Sequence, residues 1–274
     1  MALLQRPDGD VYYELSGSGP PVLLIQGVGV TGEGWRPQIR TLEKRFQTLI
    51  FDNRGIGRST ACNGPVTIEA MAEDARALMD AAGWESAHVV GHSMGGVIAQ
   101  QLALDVPQRV RSLSLLCTFG RGKDAARVTP WVLWMTLRTR LGTRRMRRNA
   151  FLHMLFPPEY LRSADRDRLA AEVAGIVGRD LAWSPPVLIK QVQALSLHDT
   201  SGRLAQLAGI PTLVVSTRHD PVALPKYGRQ LAQWIPGATF EEMPSSSHAV
   251  IIQEAAEVNR RLENFFQSVE KARG

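Results

Sequence analysis

Cysteine is scarce: 274 residues hold only Cys62 and Cys117, far apart, with no second cysteine or histidine beside either at metal-ligand spacing. That excludes a disulfide framework and a zinc site, so both are expected to be free thiols in a reducing compartment. No stretch approaches the ~20 consecutive apolar residues that span a bilayer. The opening MALLQRPDGD lacks the positive segment and apolar run of a secretory signal. A cytoplasmic protein without an integral membrane segment is expected. Acidic residues are absent from 128–158, which carries arginines 138, 140, 144, 145, 147 and 148, while the remainder of a chain of net charge +6 is near neutral. Such a one-signed patch attracts acidic substrates, anionic membranes or nucleic acid. No nucleic-acid-binding module surrounds it, so nucleic acid is not expected as a partner and a solvated helix face is the expected role.

With 44% apolar residues the chain can fill a large core without covalent staples. Short apolar, β-branched runs at 22–26, 48–51, 88–90, 112–116 and 212–216 alternate with helical patterns, which predicts a mostly parallel sheet flanked by crossover helices. Residues 3–6 and 11–15 flank Pro7-Asp8-Gly9 and predict an antiparallel hairpin at one sheet edge. Ile68, Met71, Ala72, Ala75, Leu78, Met79 and Ala82 recur at helical steps, with Thr67 placed as N-cap and Glu69 at the positive dipole end. Val258, Leu262, Phe265, Phe266 and Val269 repeat the pattern in a closing helix.

Between about 119 and 200 the alternation stops and the chain turns aromatic and basic, with Trp131, Trp134, Phe151, Phe156 and Trp183. Roughly 80 residues are too many for a plain connection, so a helical cap at 119–200 is expected, inserted into a core of 1–118 and 201–274.

The sharpest motif is Gly91-His92-Ser93-Met94-Gly95, between a strand ending at Val90 and a helix expected to begin near Val97. In that setting Gly-x-Ser-x-Gly is a nucleophile elbow: a strained turn lifts the serine hydroxyl above the sheet, and small neighbours avoid collision. A serine hydroxyl is a weak nucleophile at neutral pH and needs a base within reach, with a carboxylate behind it. Of six histidines, His92 lies inside the elbow and is expected to be structural, pointing away from the hydroxyl. His88 lies on a strand, His153 and His198 in the insertion, and His219 beside a carboxylate in a loop. His248 follows Ser245-Ser246-Ser247 in a loop between the strand Thr239–Met243 and the last helix, where a sheet displays working residues.

These motifs together resemble the α/β-hydrolase superfamily over nearly the whole chain. The resemblance implies Ser93 as nucleophile, His248 as base and Asp220, in His219-Asp220-Pro221, as the orienting acid, in the chain order expected for that fold. Asp52 is the rival acid, but Asp52-Asn53-Arg54-Gly55 is similar to a structural turn of the family and is expected to hold Arg54. Gln26-Gly27-Val28-Gly29 resembles the oxyanion loop, which assigns the backbone N–H groups of Val28 and Met94 to the developing negative charge. The commonest family pattern there is His-Gly where this chain has Gln26-Gly27.

The resemblance implies hydrolysis of a small or medium carboxylic ester or lactone through an acyl-enzyme, with no cofactor or metal required; the oligomeric state is left open between monomer and homodimer. Cleavage of a carbon–carbon bond in an acidic ring-cleavage product is the alternative, since the arginine-rich insertion could recruit such a substrate. A ligand-binding member of the fold is a third reading, disfavoured because a binder has no need of three aligned groups.

Overall fold

A computed structural model describes residues 2–60, 63–126 and 130–273; Cys62 lies outside them. Eight strands form one sheet in the order β1-β2-β4-β3-β5-β6-β7-β8. The strands are β1 (Ala2–Leu4), β2 (Val11–Ser16), β3 (Pro21–Ile25), β4 (Gln47–Phe51), β5 (Ala87–His92), β6 (Val110–Leu116), β7 (Thr212–Thr217) and β8 (Thr239–Met243). The first two form the expected hairpin and pair antiparallel, β2 also against β4; β3 to β8 are mutually parallel. The apolar runs of the central strands need this arrangement, because helices cover both faces of a parallel sheet and leave no strand side for water. Every residue of β5 is buried.

Helices of the core are α1 (Arg36–Leu42), α2 (Ile68–Ala81) and α3 (Met94–Asp105). Thr67 caps α2 as expected, its hydroxyl accepting from the Ala70 N–H at 3.1 Å. The third helix begins at Met94, not near Val97. Gly95 and Gly96 suggest a loop by propensity, but they occupy the first helical turn because larger residues would not fit there. After β6 the chain runs through α4 (Gly122–Ala126), α5 (Pro130–Arg138), α6 (Arg144–Leu155), α7 (Pro158–Ser163), α8 (Arg166–Val177) and α9 (Val187–Leu197) before returning at β7. The core closes with α10 (Pro225–Trp234), α11 (Val250–Gln253) and α12 (Ala255–Arg273).

Two apolar clusters result. The large one fills the sheet and its flanking helices; the smaller joins Leu152, Phe156, Leu161, Leu169, Val173 and Val177 of the inserted helices and takes in Ala249, next to His248. The root of the insertion is pinched shut where Thr200 N–H donates to Gly120 O at 2.9 Å and Gly122 N–H to His198 O at 2.8 Å. Part of the arginine run is neutralised inside the insertion, Arg144 and Arg148 pairing with Asp180 and Arg145 with Asp167. No helix among the described residues is long and apolar enough to cross a membrane.

One expectation fails here. Arg54 is not held by Asp52; its guanidinium makes a bidentate pair with buried Asp74 of α2, which also accepts from Arg6. The Asp52 carboxylate instead caps backbone, accepting from Gly32 N–H at 2.7 Å and Arg58 N–H at 2.8 Å. The same carboxylate lies 3.7 Å from the Arg58 Nε, so it joins the turn after β4 to the loop after β3, while the Arg54 side chain is drawn to the buried carboxylate of α2.

His88, wholly buried on β5, bonds Ser112 Oγ at 2.7 Å through Nδ1 and stacks on Phe266. Burial, followed by the nearby charges of Arg111 and Arg273, pushes its pKa down to about 3. The unfolded chain therefore takes up a proton below about pH 6.5 that the folded chain refuses until near pH 3, so stability falls as pH falls through that window, by ~1.4 kcal/mol per pH unit for each such proton. Urea unfolding between pH 4 and 8 should show this slope, and His88→Gln should flatten it by about one proton; an unchanged slope would disprove the role of His88.

Candidate active site

The carboxyl ends of β3 to β8 lie along one edge of the sheet, and the chemistry-bearing residues sit in the loops that leave it. Pairing of β3 with β5 sets Ile25 opposite Gly91, so the loops that follow these two strands emerge side by side. Ser93 directly follows β5 with a positive φ of 56° and ψ −123°, and α3 starts at the next residue. Such strain costs ~1–3 kcal/mol and persists where surroundings fix it. Here they do: Ser93 N–H donates to Leu116 O at 3.0 Å, and the Thr118 hydroxyl donates to Ser93 O at 2.7 Å. The flanking glycines have steric reasons. A Cβ at Gly95 would lie 2.1 Å from the carbonyl oxygen of Ile25, and one at Gly91 would lie 2.2 Å from that of Gly95.

His248 and Asp220 reach the serine from the loops after β8 and β7. His248 Nε2 stands 3.1 Å from Ser93 Oγ, and Nδ1 stands 2.7 Å from Asp220 Oδ2. A carboxylate only accepts, so Nδ1 carries the proton and Nε2 is left to accept from the serine hydroxyl. The other oxygen of Asp220 accepts from the N–H groups of Val222 and Ala223 at 2.7 and 2.8 Å. Asp220 thus initiates the turn expected of an aspartate before proline and also faces the imidazole. The two loops are stapled together by backbone: His219 N–H donates to Ser246 O, and the Ser247 hydroxyl to His219 O. The His219 imidazole takes no part and is exposed.

His92 meets the candidate base: its Nε2–H donates to the His248 carbonyl at 2.9 Å, and the rings lie 5.0 Å apart. Burial, then the neighbouring His248, pushes its pKa down to about 3, so it stays neutral at ordinary pH. No local sequence pattern announces this contact, because His92 ends β5 and the His248 loop follows β8, three strands further along the sheet.

The loop after β3 passes beside the serine, where a Cβ at Gly27 would lie 3.4 Å from Ser93 Oγ. Gln26 takes over the anchoring of that loop: its Oε1 accepts from Gly27 N–H at 3.2 Å, while its carbonyl accepts from the Asn53 amide at 3.0 Å. Gly34 leaves room for the glutamine amide. Among the described residues neither the Val28 nor the Met94 N–H meets an acceptor. Cys117, at the end of β6 with φ 48°, is buried beside Thr217, and burial followed by the charge of Asp220 pushes its thiol well above the usual range. Among the described residues no group of three or more His, Cys, Asp or Glu side chains could hold a metal ion.

The model of the α/β-hydrolase fold matches residues 20–255. The chain belongs to that family. The RutD protein of Azorhizobium caulinodans, to which a carbamate hydrolase activity is ascribed, is 34% identical over 242 residues, spanning 88% of this hydrolase and 89% of itself. A hydrolase of Pseudomonas aeruginosa superposes with a TM-score of 0.82 at 28% identity, with 97% of each chain covered. The enol-lactonase of Burkholderia xenovorans does so with a TM-score of 0.77 at 27% identity, covering 94% of this chain and 97% of its own.

Replacing His92 with phenylalanine keeps an apolar ring and deletes the donor to the His248 carbonyl. A hydrogen bond of this kind contributes ~0.5–1.5 kcal/mol, so hydrolysis of a p-nitrophenyl ester should fall up to about tenfold in kcat with KM little changed. A variant with wild-type kcat would show that this contact does not position the base loop.

Proposed function

We propose that this α/β hydrolase cleaves a carboxylic ester or lactone of small to medium size by way of an acyl-enzyme on Ser93. The observation that carries this reading is the unbroken chain from Ser93 Oγ to His248 Nε2 at 3.1 Å and from Nδ1 to Asp220 at 2.7 Å. In the first step the hydroxyl proton passes to Nε2 while Oγ bonds to the substrate carbonyl carbon. The carbonyl oxygen takes the negative charge between the Val28 and Met94 N–H groups, the latter at the positive end of α3. Collapse of that intermediate expels the alcohol, which takes the proton from Nε2. A water then repeats the sequence and frees the acid, returning the proton to Ser93. Asp220 stays ionised throughout and holds the imidazole in the one tautomer that can accept.

The segment 119–200 serves as a cap. Ser93 and His248 are only 8% and 7% exposed, and the insertion reaches the base loop where Ala249 N–H donates to Leu155 O at 3.0 Å. Substrate therefore arrives through or beneath the inserted helices, whose apolar side chains form the wall for an acyl group.

A second substrate class is favoured by one comparison. The activity ascribed to the Azorhizobium relative is on a carbamate, which presents the same acyl carbon and passes through the same tetrahedral oxyanion as an ester.

Ser93→Ala should abolish turnover of short p-nitrophenyl esters and labelling by a fluorophosphonate probe, and Asp220→Asn should lower kcat by ~10⁴ by destabilising the productive tautomer. Undiminished turnover in the alanine variant would refute the assignment. Side-by-side rates on an ester, a lactone and a carbamate would rank the leaving groups.

A further inference from the structure

The loop after β3 is gripped from above by the inserted helices. Gly29 N–H donates to Gln191 Oε1 of α9 at 2.9 Å, and the Arg179 Nε–H donates to Gly29 O at 3.3 Å. One residue of the loop is thus held at both its donor and its acceptor by side chains about 150 positions further along the chain. The surroundings leave these contacts little freedom. Gln191 is wholly buried, and a Cβ at Gly29 would stand 3.0 Å from Leu188. A little further on, Thr31 donates through both N–H and hydroxyl to Val177 O at 3.4 Å, and a Cβ at Gly178 would press into Thr31.

Arg179 spends its other donors on the carbonyls of Asp180 and Trp183 and lies over the Phe151 ring. It makes no ion pair with a carboxylate among the described residues. A guanidinium kept for backbone carbonyls alone is a clamp on chain geometry.

The loop needs such a clamp. Gly27 is fixed from the core by Gln26, but Val28 is followed by Gly29 at φ +68°, a residue with wide conformational choice. The peptide that carries the Val28 N–H also presents the Gly27 carbonyl, which accepts from Val30 N–H at 3.4 Å; holding the two Gly29 peptides restrains both the far side of Val28 and the residue that makes this contact. We propose that Gln191 and Arg179 are positioning residues for the oxyanion hole: the cap does not merely cover the site but sets the direction of one of its two donors, so the hole is complete only while the cap is docked. This rests on the reading of Ser93 as nucleophile and of Val28 as an oxyanion donor.

The test uses the full chain with Gln191→Met, Gln191→Glu, Arg179→Met and the double Met variant, with thermal unfolding as a check on folding. Gly29 amide exchange should speed up at least about tenfold in Gln191→Met and stay slow in Gln191→Glu, which keeps an acceptor. In Gln191→Met and Arg179→Met, kcat on a p-nitrophenyl ester and the rate of Ser93 labelling by a fluorophosphonate should fall about tenfold or more, with KM within about threefold, because a hole donor acts on the transition state. The double variant should be little worse than the poorer single one, since both hold one residue. Unchanged Gly29 exchange in Gln191→Met, or kcat and labelling within about twofold of wild type in a folded variant, would overturn the proposal. If wild-type Ser93 resisted the probe, the nucleophile assignment would fail, while Gly29 exchange would still decide whether the clamp exists. Should Arg179→Met not fold, the two Gln191 variants decide alone.

Discussion

The contact on which the site depends is one between backbones: the first turn of α3 lies against the carbonyl of Ile25 at the end of β3, so closely that Gly95 has no space for a Cβ. Because β3 and β5 are neighbours in register, this approach sets the loop after one strand beside the residue that ends the other. Ser93 is held in its positive-φ conformation by the hydrogen bonds to Leu116 and Thr118 on the opposite side. The hydroxyl, the start of the loop after β3 and the first amides of α3 are therefore placed by the sheet, and the later loops have only to reach them.

They reach them through a stack of small electrostatic choices. The Asp220 carboxylate, only 2% exposed, accepts from two backbone N–H groups and one imidazole N–H, so most of its lone pairs are satisfied without water. The imidazole beyond it is constrained by tautomer through Asp220 and by backbone through His92. His92 and His88 are uncharged for the same reason, burial, yet they do different things: one supports the base loop and the other fills the sheet between Ser112 and Phe266.

The insertion brings a different kind of order. Its own apolar cluster holds the helices together, and the arginines that make the chain basic are partly spent on Asp180 and Asp167, within the insertion. Where it meets the core, apolar contacts through Ala249, Val30 and Leu195 are joined by directional hydrogen bonds at Gly29, Thr31 and Ala249.

The sequence by itself determined the sheet and its flanking helices, because a buried parallel strand has to be an apolar run and a covering helix has to repeat every three to four residues. It also determined where the candidate site residues lie in the chain: a Gly-x-Ser-x-Gly between strand and helix, then an aspartate and a histidine each just past a strand. Boundaries blurred where steric need overrode propensity, as in the glycines that open α3. What only the tertiary structure decided were the partners. Arg54 went to Asp74, His92 to the His248 carbonyl, and Gln191 and Arg179 to Gly29, pairs separated by 20 to 162 positions. Periodicity reports which face of an element is buried, but the meeting of two polar side chains from distant segments depends on strand order and crossing geometry, and no local pattern encodes those.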